Sequence, residues 1–181
     1  MRARMASVCS AGIVMLSTVF VSCDQRADIQ GPEGSVSQVV AGGAVQISDA
    51  MKQLRNATAR FNSQEQALKA GYVPTDHCVA NPMLGGMGYH WANPTLIDPV
   101  FDIAKPEVVL YAPGENGRQK LVAVEYVVID VGQPRPSFDG HPFDIGGAPI
   151  PAPHWTLHVW LYENNEAGVF TPFNHAVACS H

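Results

Sequence analysis

One carboxylate sits where a strand would normally exclude it. Residues 120–130 read KLVAVEYVVID, and from Leu121 to Ile129 every side chain is apolar except Glu125. β-Branched and aromatic residues dominate the run, so it reads as a strand, and a strand apolar on both faces is buried on both faces. A buried carboxylate without a partner costs several kcal/mol, so it must be paired, hydrogen-bonded, protonated or bound to a metal. The alternative is an edge strand with Glu125 in water. If the strand is central, the rest of the chain has to deliver an arginine, a histidine, backbone amides or an ion to that position.

Candidate partners follow from strand periodicity. Residues 154–162, HWTLHVWLY, are again β-branched and aromatic and follow a proline-rich stretch. With a period of two, His154, Thr156, His158 and Trp160 share one face. His154 and His158 would lie about 13 Å apart along a strand, too far to bind one ion without a bulge. His158, in mid-strand, is the better ligand, with His154 at the mouth of the site. A third imidazole comes from GGMGYHW, residues 85–91. Three glycines there permit backbone angles closed to other residues, so His90 is expected to point inward from a loop, with Tyr89 and Trp91 walling the site. His90, Glu125 and His158, with His154 beside them, form a candidate site for a divalent transition metal: zinc, copper or iron. The bland reading is that these residues only satisfy one another.

The ends bear on where such a site would work. Arg2 and Arg4 precede an uncharged apolar stretch, Ala6 to Val21, the pattern of an export signal. VFVSCD then resembles a bacterial lipobox, although Phe20 stands where such boxes usually carry Leu. Residues 1–22 are therefore expected to be a signal peptide, with Cys23 lipidated, residues 23–45 a flexible tether and residues 46–181 a single globular domain. The expected location is extracytoplasmic and anchored to a bacterial membrane, with a soluble periplasmic or secreted form as the alternative. Removal of Arg2 and Arg4 from the 11 basic residues leaves 9 against 16 acids, a net charge of −7. Nucleic acid is thereby disfavoured as a partner, because it demands clustered Lys and Arg. The lipid would make the membrane a partner, and any protein or small-molecule partner is unspecified.

Of four cysteines, Cys9 lies in the signal and Cys23 in the lipobox. Cys78 and Cys179 remain, and outside the cytoplasm they are expected to form a disulfide. Closing a loop of roughly 100 residues is worth about 4–5 kcal/mol in the chain-entropy model. A thiolate metal site with His77 and His181 is the alternative.

Helical spacing of Ile47, Met51, Leu54, Thr58 and Phe61 predicts a helix over about 47–61. Ser63 and Gln66 suggest a capping box for a second, short helix that ends at Gly71. Residues 107–112 and 120–130 read as a hairpin across Glu115–Gly117, and residues 132–153, rich in proline and glycine, as a long structured loop, whose stretch HPFDIGGAPIPAP (141–153) is a candidate lid over the site. Helices followed by strands predict an α+β fold, with an N-terminal helical hairpin packed on a small antiparallel β-sheet or sandwich.

The segments ATARF, ALKAGYVP, GMGYHWANP, PEVVLYAPGENG, LVAVEYVV, LHVWLYENNEAGVF and FNHAVAC, between about residues 57 and 179, resemble a family of uncharacterised secreted bacterial proteins. The resemblance implies a single exported domain and assigns no catalytic residues; His175 stands where that pattern carries proline. No GxSxG motif, phosphate-binding glycine loop or CxxC pair is present. The expected function is thus an exported lipoprotein domain with a small metal or ligand site. The alternatives are a structural or interaction lipoprotein with no chemistry, and a metal-dependent hydrolase.

Overall fold

The computed structural model describes residues 47–114 and 117–179. The expected signal sequence, Cys23, the expected tether and His181 lie outside the described residues. Short helices come first. Helix α1 (Asp49–Thr58) starts where the Ser48 hydroxyl accepts a bond from the Met51 amide at 3.1 Å, with Asp49 favourably placed in the first turn. A 3₁₀ turn (Ala59–Asn62) leads into α2 (Gln64–Lys69). The expected capping box is absent: the Ser63 side chain makes no cap bond, and its backbone carbonyl accepts from Gln66 and Ala67 instead. Helix α2 closes as expected at Gly71, whose φ of +96° suits a residue without a Cβ.

Eight strands follow. They are β1 (Cys78–Asn81), β2 (Gly85–Ala92), β3 (Val108–Pro113), β4 (Gln119–Ile129), β5 (Ser137–Phe138), β6 (His141–Pro142), β7 (Asp144–Ile145) and β8 (His154–Trp160). Six of them form one antiparallel sheet in the order β1-β2-β3-β4-β8-β7, and β5 and β6 pair by themselves. The domain is mostly antiparallel sheet with a few short helices, α+β in class. The proline loop is less irregular than its composition predicts, because β5, β6 and β7 all fall within it.

Strand β4 lies between β3 and β8, so it is central and its apolar faces are both covered. On one face Val109, Tyr111, Val124, Tyr126, Leu157 and Val159 pack with Leu54, Phe61 and Ala67 of the helical segment. On the other, Val108, Leu110, Ala123, Val127 and Trp160 are covered by Val177 and by partly buried Ile97, Ile150 and Val169.

Strand β2 was expected to be a loop. Its glycines hide it, because they remove the apolar alternation by which strands are recognised. They are there because other backbone passes too close for a Cβ. A Cβ on Gly85 would lie 2.2 Å from the Asn174 carbonyl oxygen. One on Gly88 (φ +100°) would lie 2.4 Å from that of Tyr111.

Candidate metal centre

The site is assembled by strand register. In an antiparallel sheet, directly opposed residues project on the same face. Ala92, Val108, Glu125 and His158 form one such row across β2, β3, β4 and β8. His90 lies two residues from Ala92 on β2, hence on the same face, in the next row with Leu110, Ala123 and Trp160. It reaches diagonally over β3 towards Glu125.

The distances are short. His90 Nε2 lies 3.6 Å from Glu125 Oε2, and His158 Nε2 lies 3.9 Å from the same oxygen. The three ligand atoms all fall within 4.8 Å of one another, so the group could hold a metal ion. A tetrahedral centre with bonds of 2.0–2.1 Å spaces its ligand atoms at about 3.4 Å. Small side-chain movements would therefore close the site. The imidazoles meet edge to face, with ring centroids 5.8 Å apart.

Hydrogen bonds set the orientation of two of the groups. The Thr156 hydroxyl, on the same face of β8, donates to Glu125 Oε1, leaving Oε2 turned towards the imidazoles. His90 Nδ1 is 3.2 Å from the Gly88 carbonyl. A carbonyl only accepts, so Nδ1 carries the proton and a neutral His90 aims its Nε2 lone pair at the carboxylate. Metal-binding histidines are commonly held in this way, with the distal N–H on a backbone carbonyl.

Electrostatics shift two of these groups, His90 and Glu125. Burial, aided by His158, lowers the pKa of His90 below its ordinary value despite the opposing pull of Glu125. Burial pushes the Glu125 carboxyl up, but His158, His90 and the Thr156 hydroxyl together outweigh it, and the net shift is downward. A neutral imidazole and an ionised carboxylate are the states that ligate metal. His158 is 5% exposed, and its buried Nε2 has no hydrogen-bond partner among the described residues.

Other expectations fare differently. His154 shares the face but stands apart from the group. Its Nδ1 is 2.8 Å from the Ala152 carbonyl, and its ring packs on Gly146, where a Cβ would come 2.0 Å from Nε2. Tyr89 and Trp91 do not wall the site: they pack in the core on the opposite face of the sheet. The face around the three ligands is instead formed by Val108, Leu110, Val127 and Trp160. Asp98 and Asp102 accept bonds from the amides two residues on, as turn residues do. His141 stacks on Phe170, and His77 and His175 are exposed. Cys78 and Cys179 form the expected disulfide, with Cα atoms 5.6 Å apart.

Two residues were not anticipated. Thr156 had been placed on the right face but given no role. Glu107 is 1% exposed, and one of its oxygens accepts from the Val127 amide at 2.8 Å. Burial raises its pKa to about 8, with Asp98 and Glu125 adding to the rise. It follows Pro106 at the head of β3, a position where a charge ordinarily reaches solvent, so nothing in the sequence marked it as buried.

Comparisons with family models, curated proteins and solved structures find no match. Function is therefore argued from the chemistry of the site alone.

Proposed function

We propose that the chain is an exported, lipid-anchored domain that binds one divalent transition metal through His90, Glu125 and His158, with zinc the leading ion and copper and iron the others. Cys23 would carry the lipid, and the acidic mature chain would have no nucleic-acid partner. The observation that carries the metal reading is the His158 Nε2 atom, buried without a partner among two other electron-pair donors. A buried unpaired nitrogen costs roughly 1–3 kcal/mol; Trp91 Nε1 is another such atom, in the opposite core, but His158 Nε2 has two further metal-ligating side chains beside it. Imidazole and carboxylate together suit these ions. Three protein ligands leave at least one coordination position for water or an exchangeable ligand.

The test is metal content and affinity of the full chain. Zinc, cupric or ferrous ion would be titrated in competition with a chromophoric chelator, and bound metal counted by elemental analysis. One ion per chain is expected, with its loss in both His158→Ala and Glu125→Gln. No stoichiometric binding of any of the three ions, or binding that both variants retain, would overturn the proposal. Among the described residues no helix is long and apolar enough to cross a membrane. Radiolabelled fatty-acid incorporation, abolished by Cys23→Ala, tests the anchor.

A further inference from the structure

Strand β1 ends the sheet, with β2 as its sheet neighbour, and β2 carries His90. Cys78 pairs directly with Tyr89, and Val79 with Gly88, whose carbonyl fixes the His90 ring. The same N-terminal half of β2 is also held by the C-terminal segment. Gly86 and Asn174 exchange backbone hydrogen bonds of 3.1 and 3.0 Å, and Val177 packs so closely that a Cβ on Gly86 would meet it at 2.8 Å. The Cys78–Cys179 bond joins these two holders across 101 residues. Both cysteines are partly exposed.

Resting on the metal reading above, we infer that the Cys78–Cys179 disulfide is the positioning clamp of His90, and that a dithiol reductant controls metal affinity by opening it. A thiolate of the reductant attacks one sulfur, forming a mixed disulfide and expelling the other cysteine as thiolate. The second thiol of the reductant then displaces the first cysteine. The protein gains two electrons and two protons as two thiols, and the reductant leaves as its own disulfide. Strand β1 and residues 174–179 then lose their covalent tie and are left to backbone pairing, the buried Val177 side chain and the bond that Asn174 Nδ2 donates to the Asn164 carbonyl. The outer support of the Gly88 carbonyl loosens and His90 Nε2 loses its aim, while Glu125 and His158, on central β4 and on β8, keep theirs.

The experiment compares zinc affinity of the full chain, by chelator competition, in the oxidised form, after reduction with a phosphine, and in the Cys78→Ala/Cys179→Ala variant. Affinity at least tenfold weaker is expected in both forms that lack the disulfide, with circular dichroism of the sheet retained. Affinity within twofold of the oxidised chain, with both thiols shown free, would overturn the inference. So would global unfolding on reduction, because the bond would then hold the whole fold rather than one ligand. Long-range proton–nitrogen NMR of the His90 ring supplies a readout without metal. The oxidised chain should show the Nδ1–H tautomer and the reduced chain a mixture; an unchanged tautomer counts against the clamp. If the oxidised chain binds none of zinc, cupric and ferrous ion, the metal reading fails, and the tautomer alone decides this inference.

Discussion

Glu125 and His158 are direct cross-strand neighbours on β4 and β8, and the carboxylate divides its two oxygens between different tasks. Oε1 accepts from Thr156, and Oε2 faces both imidazoles. One oxygen is fixed so that the other can serve as a ligand.

Thr156→Val should therefore weaken zinc binding roughly 10–100-fold, the usual effect of losing a bond that orients a ligand. Stability of the metal-free chain should change little by comparison. Chelator competition and urea unfolding on the same preparations separate the two effects, and an unaltered affinity would show that the carboxylate needs no such support.

His158→Leu trades binding for comfort in the core. It replaces an unpaired buried nitrogen by an apolar group of similar size, so the metal-free chain should lose less than about 1.5 kcal/mol or gain stability. Zinc at a hundred times its dissociation constant should stabilise the natural chain by about 2.7 kcal/mol and this variant not at all. Chemical unfolding with and without zinc reads both effects.

Acid should act on the metal-free chain through His90. Its folded pKa is lowered, so below about pH 6.5 the unfolded chain binds the proton more readily and stability falls as pH falls. His90→Phe should flatten that part of the profile. Zinc should be retained below pH 6.5, because the folded ring resists protonation there; release centred above 6.5 would contradict the direction of the shift.

Glu107 should produce the opposite slope. Its folded pKa of about 8 lies above the unfolded value of 4.5, so its proton favours the folded state and stability falls as pH rises between the two. Glu107→Gln keeps an acceptor for the Val127 amide and removes the charge. The variant should gain on the natural chain through that interval, by an amount on the order of a few kcal/mol at its upper end. Unfolding free energies at pH 5 and pH 8 would check it.

Gly88→Ala tests the backbone beneath His90. The added methyl meets the Tyr111 carbonyl at 2.4 Å at a residue with φ of +100°, so a loss of more than about 2 kcal/mol is expected, together with weaker zinc binding. Thermal unfolding measures the first effect and chelator competition the second.

What the sequence disclosed follows from how each residue is advertised. Glu125 was legible because an acid inside a run apolar on both faces has few places to go, and His158 because period two fixes its face. The disulfide followed from counting cysteines. His90 was legible as a candidate but not as part of a strand, because Gly85, Gly86 and Gly88 answer to close contacts from residues 174–177 and from Tyr111, segments remote in sequence. The same ignorance of β2 set Tyr89 and Trp91 beside the site, whereas alternation along the strand turns them to the opposite face. Glu107 stayed hidden because it stands just before β3, beside Pro106, and its partner, the Val127 amide, comes from β4, twenty residues on.

The two outermost strands have a consequence of their own. One rim of the sheet, β1, is four residues long with an irregular register, and the other, β7, is two residues long. Neither offers a length of unpaired ladder on which a second chain could grow. Templated stacking into fibrils is thereby discouraged, and so is capture of an extended peptide as an added strand. A protein that approaches β1 or β7 would meet side chains and loops rather than a long free ladder.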